Sequence, residues 1–327
     1  MEIRTGNSFK HNIIKKKRLY GFLCYFSAKY VVSTHGYFPM IETAPNQTHI
    51  NLWHGMPFKR IGRLLEGPRT NGRQDEADSS IATSETFRNL MAKAFGISTE
   101  NVYVTGQPCN DLLFKDNLAL ANLNINKKDY SKIILWMPTY RNSTFGDIRK
   151  DGNAESFGVR EVLLNEFDNL EKILTKNNYL LLIKPHPMDE ICKINFRSSN
   201  HIRVISNEYL DSKNVLLYEL LGNCDILLTD YSSVFIDFLI TNKPIAFVCD
   251  DVSEYGDSRG FCFETPMDYM PGEIISNYTE LIEYLENVDE FNSKWEKKYE
   301  EIKQLFNPLN DGKASERVCD VFWPKKI

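Results

Sequence analysis

Four short polar clusters follow apolar runs of the sequence, and their residue types suit the binding and transfer of phosphate groups. The clusters read NLWHG, WMPTYR, LIKPHP and LLTDYSS, and they end at residues 55, 141, 187 and 233. Histidine can exchange a proton near neutral pH, whereas arginine and lysine bind phosphate oxygens. Serines that open a helix add hydroxyl and backbone donors to an anion site. Together the four clusters predict phosphate handling.

Individual residues of these clusters have distinct expected roles. His54 is a candidate general base, and His186, between two prolines, could donate to a phosphate or protonate a leaving oxygen. Arg141 can bind a phosphate through two parallel hydrogen bonds, and Lys184 offers a point charge.

The fourth cluster opens a predicted helix at Ser232 and Ser233. Asp237 follows one turn after Ser233, so it could reach the same pocket or accept a hydrogen bond there. Arg259 lies in the glycine-rich stretch YGDSRGFCFE, which predicts a flexible flap over the site.

Each of these residues also has a purely structural interpretation. The two serines could cap the helix, Asp230 could brace a turn, His54 could be a buried and satisfied histidine, and Arg141 could pair with a surface acid. Any one residue alone is therefore a weak indication. Four such clusters, all suited to phosphate and all at predicted strand ends, favour the functional interpretation.

The elements that must position these residues alternate between short apolar runs and helical patterns, which predicts parallel βα units. We expect strands over 29–34, 48–53, 79–83, 101–105, 132–137, 179–184, 202–206, 225–229 and 244–249. Helices are expected over 84–95, 157–176, 214–222, 233–241 and 276–287, and a charged helix over 290–306. Ligands of such sheets bind at the carboxyl ends of the strands, where all four clusters lie.

A polar stretch over residues 115–130 is typical of a linker between two parts of the chain. We therefore expect an α/β protein with two Rossmann-like domains facing a cleft. The domains would span residues 1–115 and 128–327, and the last helix would return toward the first domain.

Composition excludes several classes of protein. Hydrophobic residues make up 42% of the 327 and charged residues 25%, which is typical of globular rather than disordered chains. The seven cysteines are scattered singly, which indicates reduced thiols in a cytosolic protein. Neither cysteines nor histidines show zinc-ligand spacing, and no carboxylate cluster suited to a metal is evident. No Walker loop or GxGxxG fingerprint is present.

The net charge of −5 is unevenly distributed along the chain. Residues 1–73 contain 12 Lys and Arg against three Glu, which favours an anionic partner for this part. A basic cluster over residues 15–18 leads into the apolar stretch 19–30, which is too short to span a bilayer. The stretch could be a solvated surface helix or a helix resting on an anionic membrane surface. Because the protein is acidic and lacks basic residues interleaved with aromatic ones, nucleic acid is not an expected partner.

Longer motifs, taken in order, resemble the CDP-glycerol glycerophosphotransferase family of teichoic-acid-type polymerases and primases. The matching stretches are NLWHGMPFKRIG, VYVTGQPCNDLL, ILWMPTYRN, IKPHP, LLTDYSSVFIDFLITNKPIAFVCDD, YGDSRGFCFE and MPGEII. They fall between about residues 30 and 275. Two departures stand out. Cys109 replaces the arginine of the family's usual GxPRND motif, and the chain before the first motif is short, so we expect a compact or truncated N-terminal domain.

The resemblance implies a GT-B-like fold and the transfer of glycerol phosphate or ribitol phosphate from CDP-glycerol or CDP-ribitol to an acceptor hydroxyl, with release of CMP. It implies that His54 and His186 are catalytic. Donor phosphate and nucleotide contacts are expected from Thr139, Arg141, Lys184, Thr229, Asp230, Ser232, Ser233, Asp237 and Arg259. Acceptor-side contacts are expected from His35, Gly55, Lys59, Asn110 and Asp111. No cofactor and no metal are implied.

The same resemblance implies a polyol-phosphate or lipid-linked glycan acceptor in teichoic-acid, capsule or surface-glycan synthesis. The enzyme would be cytoplasmic and peripheral on the inner face of the cell membrane. Two alternatives stay open. One is a GT-B glycosyltransferase or epimerase that uses a nucleotide sugar, since the fold alone does not fix the reaction. The other is a non-catalytic nucleotide-binding remnant.

Overall fold

The structure is a computed structural model that describes residues 19–34, 44–65, 77–115, 117–139, 157–185 and 197–324. Its strands form two sheets in which every neighbouring pair is parallel. The first sheet has the order β1 (Tyr30–Ser33), β2 (Thr48–Asn51), β3 (Ser79–Ala82) and β4 (Val102–Val104). The predicted α/β class is therefore confirmed.

The second sheet has six strands in the order β10-β9-β8-β5-β6-β7. They are β5 (Lys132–Met137), β6 (Tyr179–Ile183), β7 (Ile202–Val204), β8 (Ile226–Thr229), β9 (Ile245–Val248) and β10 (Glu273–Ile275). All nine strands expected from the sequence are present, with ends shifted by no more than two residues. The short strand β10 is an addition that the apolar pattern did not indicate.

The helices of the described residues lie mainly between the strands. They are α1 (Leu19–Ser27), α2 (Glu85–Phe95), α3 (Ala119–Asn122), α4 (Val159–Asn165), α5 (Phe167–Asn177), α6 (Asn207–Ser212), α7 (Leu217–Asn223), α8 (Val234–Phe238), α9 (Val252–Ser258), α10 (Tyr278–Glu286), α11 (Val288–Phe306) and α12 (Ala314–Phe322). Helix α2 begins where the sequence predicts, because Ser84 at its N-cap accepts a hydrogen bond from the Phe87 N–H.

Two helical expectations need correction. The helix expected over 157–176 is interrupted at Glu166, which leaves helical geometry (φ −125°, ψ 13°) and separates α4 from α5. The stretch expected to be a polar linker contains α3. The apolar side chains of Ala119 and Leu120, and of Leu123 at its C-cap, are buried, because their spacing places them on the one face that packs against α7. The domain division at residues 115 and 128 stays a prediction.

Strand periodicity divides the apolar side chains between two cores. Along β5, Ile133 and Leu135 belong to a core that also contains Phe87 of the first sheet's helix α2. Ile134 and Trp136, on the opposite face, pack with α4, α5 and α10. Since successive strand residues face opposite sides, one strand serves both cores.

Helix α11 connects the far edge of the second sheet with the first sheet. In its first half, Trp295 Nε1 donates to Glu273 of β10 (2.9 Å). At its end, the Phe306 carbonyl oxygen accepts a hydrogen bond from Thr83 Oγ1 (2.6 Å), just beyond β3. The Phe306 ring also lies 4.8 Å from that of Phe87. Helix α11 therefore contacts both sheets, and its buried C-terminal end packs against the first.

Helix α1 leaves much of its apolar surface uncovered by the described residues. Leu19, Leu23 and Phe26 are 77%, 59% and 49% exposed, and they recur at the spacing of one helix face. Across the described ranges, no helix has both the length and the hydropathy needed to cross a membrane.

Candidate functional site

The loop after β2 presents His54 at the carboxyl end of the first sheet. The side chain is exposed, and its Nδ1 lies 2.7 Å from the Thr34 carbonyl oxygen, just after β1. Because a carbonyl oxygen can only accept, Nδ1 must carry the proton of the neutral imidazole. Nε2 then holds the lone pair that a general base needs.

The backbone of this loop is held in an unusual conformation. Trp53 has a positive φ of +53°, a left-handed conformation that bulky residues rarely adopt. Its N–H donates to Asn51 Oδ1 (2.9 Å), and Gln107 Nε2 donates to the Leu52 carbonyl oxygen (3.1 Å). Asn51 and Gln107 are 6% and 3% exposed, so buried amides fix the chain immediately before His54.

Asp230 braces the carboxyl ends of β5 and β8. Its carboxylate accepts hydrogen bonds from the backbone N–H of Thr139 (2.9 Å), from the Thr139 hydroxyl and from the Ser232 N–H (3.2 Å). Thr229 Oγ1 donates to the Met137 carbonyl oxygen (2.7 Å), which adds a second link between the same strand ends. The turn-bracing interpretation of Asp230 therefore has direct contacts, and the predicted ligand role of these residues stays a prediction.

Ser232 and Ser233 follow this brace and are partly buried. Ser233 occupies the N-cap position of α8, but its side chain makes no capping hydrogen bond. The helix itself is short. Its five residues are continued by a 3₁₀ turn over Leu239–Thr241, so the helical stretch matches the expected span of 233–241 to one residue.

The His54 loop and the serine turn approach each other closely at Gly55. A β-carbon at Gly55 would lie 3.1 Å from Ser233 Oγ and 3.6 Å from Asp237 Oδ2. Gly55 also has a φ of +132°, which side chains rarely permit. Glycine is therefore needed both for the backbone conformation and for the close approach of two clusters that are 178 positions apart in the sequence.

Asp237 lies at the bottom of this contact and is 1% exposed. Asn110 Nδ2 donates to its Oδ1 (2.9 Å), and the Tyr218 hydroxyl donates to its Oδ2 (2.7 Å). Burial raises the pKa of the Asp237 carboxyl to about 6, although the two hydrogen bonds act in the opposite direction. The predicted donor contact of Asp237 stays a prediction, and the contacts described are with protein groups.

Tyr218 and Cys109 complete the surroundings of that carboxyl. Burial, followed by the charge of Asp237, raises the pKa of the Tyr218 hydroxyl well above its ordinary value and that of the Cys109 thiol to about 12. Both groups are therefore neutral at physiological pH. The sequence did not single out Tyr218, because nothing in its own neighbourhood distinguishes it from a core tyrosine.

The segment around Arg259 is not the glycine-rich loop that the sequence predicts. Residues Val252–Ser258 form α9, and Arg259 is its C-cap. The backbone that follows α9 pairs with the loop after β2. The Arg60 N–H donates to the Gly260 carbonyl oxygen (3.0 Å), and Lys59 and Phe261 form an isolated antiparallel β-bridge. The expected flexible flap is therefore not present. Buried aromatic residues, Tyr255 in α9 and Phe261 after it, pack this segment against the loop after β2, and we call this contact the packed crossing.

Lys59 places its Nζ 5.7 Å from the ring centroid of Tyr255, at the same crossing. Asp111, another predicted acceptor-side residue, is buried and accepts hydrogen bonds from the backbone N–H groups of Ala314 and Ser315, each at 2.8 Å. It caps α12 from a distant part of the chain. The acceptor-side roles of Lys59 and Asp111 stay predictions.

Lys184 is 6% exposed at the end of β6, one of the strand ends that the sequence selected. Three other predicted site residues, His35, Arg141 and His186, lie outside the described residues. Among those described, no group of three or more His, Cys, Asp or Glu side chains could hold a metal ion.

A comparison with protein families matches residues 7–324 to the family described as CDP-glycerol:poly(glycerophosphate) glycerophosphotransferase. A curated relative is the teichoic acid glycerol-phosphate transferase of Staphylococcus aureus (strain NCTC 8325 / PS 47), which is 29% identical over 86% of this chain and 72% of its own. Another is the teichoic acid poly(ribitol-phosphate) polymerase of Bacillus spizizenii (strain ATCC 23059 / NRRL B-14472 / W23), 29% identical over 90% of this chain and 47% of its own.

The chain thus spans about half the length of several curated relatives that it matches, with coverage of 47–55% of their sequences. Among solved structures, one of the wall teichoic acid polymerase TagF aligns with a TM-score of 0.76 and 26% identity over 94% of this chain and 75% of that one. These likenesses confirm the predicted family resemblance and the GT-B-like α/β fold.

Proposed function

This chain belongs to the CDP-glycerol:poly(glycerophosphate) glycerophosphotransferase family, and we propose that it transfers glycerol phosphate or ribitol phosphate from a CDP-alditol to an acceptor hydroxyl. The acceptor oxygen attacks the phosphorus that carries the alditol and forms a phosphodiester. The bond from that phosphorus to the bridging oxygen breaks, and CMP leaves with the bridging oxygen. The acceptor's proton must be removed, and the charge on the phosphate oxygens must be stabilised.

His54 is the proposed base of this reaction. Its Nδ1–H donates to the Thr34 carbonyl oxygen, so Nε2 can take the proton of the acceptor hydroxyl as the oxygen attacks. The imidazolium that forms keeps its hydrogen bond to Thr34. The acceptor would therefore approach from the side of the first sheet.

The phosphates of the donor are proposed to bind at the carboxyl end of the second sheet. Ser232 and Ser233 would donate hydroxyl hydrogen bonds to the phosphate oxygens, and Lys184 would contribute positive charge. The family resemblance adds Arg141 and His186 to this set. Thr139 and Asp230 would act indirectly, because their hydrogen bonds hold the serine turn at the end of β5.

One observation carries this proposal, namely the contact of Gly55 with Ser233. A β-carbon at Gly55, the residue next to the proposed base, would lie 3.1 Å from Ser233 Oγ, so the loop that carries the base closely approaches the proposed phosphate-binding turn. A hydroxyl activated at His54 and a phosphate held at Ser233 would then be neighbours. Positioning of this kind supplies much of the rate enhancement in phosphoryl transfer.

The proposed acceptor is a polyol phosphate or a lipid-linked glycan, as used in teichoic-acid, capsule or surface-glycan synthesis. Such an acceptor places the enzyme at the inner face of the cell membrane. The exposed apolar face of α1, with the basic residues 15–18 just before it in the sequence, supports a peripheral attachment to an anionic surface.

A donor panel tests the proposal. The purified protein is incubated with CDP-glycerol, CDP-ribitol or a UDP-sugar, together with a short polyol-phosphate acceptor, and nucleotide release and thermal shift are measured. We expect CMP release from one CDP-alditol and no release from the UDP-sugar. Release of UDP instead would assign the chain to the nucleotide-sugar enzymes. Binding of CDP-alditols without turnover with any acceptor would indicate a nucleotide-binding remnant.

A further inference from the structure

We propose that Trp53 is a positioning residue that holds the His54 imidazole in the orientation and tautomer of a general base. The inference rests on the proposed function, since it concerns the base of that reaction. Three features of Trp53 support this role, namely its backbone conformation, the contacts of its ring and the hydrogen bonds of the peptide groups beside it.

The backbone of Trp53 has a conformation that is strained for a residue with a large side chain. At φ +53° a glycine would be the most readily accommodated residue, because any β-carbon is disfavoured there. An indole ring occupies this position instead, and it is partly rather than fully buried. Such conformations persist where surrounding contacts impose them, and they cluster at functional sites.

Those surrounding contacts come from buried amides. Asn51 Oδ1 accepts the Trp53 N–H at 2.9 Å, and Gln107 Nε2 lies 3.1 Å from the Leu52 carbonyl oxygen and 3.4 Å from that of Trp53. The peptide groups on both sides of Trp53 are thus held by side chains from β2 and from the turn after β4. These hydrogen bonds stabilise the strained conformation of Trp53.

The ring that this conformation presents lies between two other rings. The centroid of the Trp53 ring is 4.0 Å from that of His54, with 32° between their planes, and 4.8 Å from that of Phe95. Phe95 is 1% exposed and belongs to the first core. The indole therefore packs between a rigid core side chain and the exposed imidazole, and it restricts the motion of the imidazole.

The stack leaves the imidazole in one defined orientation. Its Nδ1 is 2.7 Å from the Thr34 carbonyl oxygen, which fixes the Nδ1–H tautomer, and Nε2 then carries the lone pair. Without the indole, an exposed histidine has access to other rotamers and to the Nε2–H tautomer. Only a fraction of molecules would then present a competent base, so kcat would fall while donor binding would not.

The test uses three substitutions, of which Trp53→Gly is the most informative. Glycine removes the ring and also the backbone strain, so it separates loss of the stack from misfolding. Trp53→Phe keeps an aromatic ring, and Trp53→Leu keeps apolar volume alone. Trp323→Leu, in which a partly exposed indole far along the chain is lost, is the matched control.

Two measurements are made on each variant. The first is the kcat and the donor KM for CMP release, and the second is the tautomer of His54 from long-range ¹H–¹⁵N correlation, assigned by comparison with His54→Ala. We expect Trp53→Gly and Trp53→Leu to lower kcat at least tenfold with donor KM changed less than twofold. The Nε2–H tautomer should grow in both, whereas Trp53→Phe and Trp323→Leu should stay within threefold of wild type in kcat.

A Trp53→Gly protein with wild-type kcat and an unchanged His54 tautomer would overturn the inference. Equal loss of kcat in Trp53→Phe and Trp53→Gly would overturn it as well, because an aromatic stack would then not be what matters. If the wild-type chain releases CMP from no donor, the proposed function fails, and the tautomer comparison alone decides whether Trp53 orients His54.

Discussion

Asn110 donates a 2.9 Å hydrogen bond from its side-chain amide to Asp237 Oδ1, between residues 127 positions apart in the chain. Asn110 follows β4 of the first sheet, and Asp237 lies in α8 after β8 of the second. Both are buried, at 5% and 1% exposure. The bond joins the two sheets directly beneath the contact of Gly55 with Ser233, so it helps to set the distance between the proposed base and the proposed phosphate site.

The buried carboxyl of Asp237 predicts a specific dependence of stability on pH. Its pKa is about 6 in the folded protein, against an ordinary value of 3.8, so the folded state binds its proton more tightly. The free energy of unfolding should therefore fall as the pH rises from about 4 to about 6. Above that range the carboxyl is ionised, and the loss of stability is complete. The Tyr218 hydroxyl and the Cys109 thiol stay protonated throughout, since their pKa values are raised.

Asp237→Asn should remove this dependence while keeping both hydrogen bonds, because an amide can accept from Asn110 and donate to the Tyr218 oxygen. The stability difference between variant and wild type should shift in favour of the variant by on the order of 2 kcal/mol between pH 4 and pH 7.5. Urea unfolding at the two pH values measures this shift. A difference that stays constant across the range would contradict the assignment of a raised pKa to Asp237.

Gly55→Ala should damage both stability and activity. The new β-carbon would be strained at φ +132° and would lie 3.1 Å from Ser233 Oγ, so the two clusters must separate. We expect a loss of about 1–3 kcal/mol in unfolding free energy and at least a tenfold fall in CMP release. Gly256→Ala is the control, because its β-carbon would meet only the Phe261 ring at 3.7 Å and would favour helix α9. Comparable effects of both substitutions would argue against a special role for the Gly55 contact.

Asp111→Ala should destabilise the protein through helix α12. The carboxylate accepts the first two backbone N–H groups of that helix, from Ala314, which is buried, and from Ser315, which is exposed, and alanine would remove the acceptor of both. We expect a loss of about 2 kcal/mol, and a smaller loss for Asp111→Asn, which keeps one acceptor. Asp320→Ala, exposed on the same helix, is the matched control in urea unfolding. An equal response of the two alanine variants would rule out the capping role.

Substitution of the exposed face of α1 should weaken binding to anionic membranes. Leu23 and Phe26 are 59% and 49% exposed, and glutamate at either position would replace apolar contact with charge repulsion. Sedimentation with vesicles of phosphatidylglycerol and phosphatidylcholine should show at least a tenfold loss of binding for Leu23→Glu/Phe26→Glu. Leu164→Glu, on an exposed position of α4, should bind like wild type. Retention of binding by the double variant would refute attachment through α1.

Much of the fold is predictable from the sequence, because strand periodicity and helix signals are local. The run KIILWM predicts β5 to the residue, and Ser84 marks the start of α2 as an N-cap should. The three-residue strand β10 escapes such analysis, since its pattern is too short to distinguish from a loop. The break at Glu166 was likewise hidden, because the apolar spacing is favourable on both sides of it.

The candidate site is less predictable, because its contacts join distant parts of the chain. The sequence selects His54, Asp230 and Ser233 by residue type and by position at strand ends. It does not reveal that Gly55 lies close to Ser233, or that Tyr218 donates to Asp237. The packed crossing after α9 escaped for the same reason. Its partner is a loop some 200 residues earlier, and only the folded chain brings the two together.

The most direct test of the central claim is the rate of CMP release by His54→Asn beside the wild type. An asparagine amide can still donate to the Thr34 carbonyl oxygen, but it cannot act as a base at neutral pH. We expect a rate at least a hundredfold lower, with CDP-alditol still producing its thermal shift. A His54→Asn protein that releases CMP at the wild-type rate would show that His54 is not the base and would contradict the proposed mechanism.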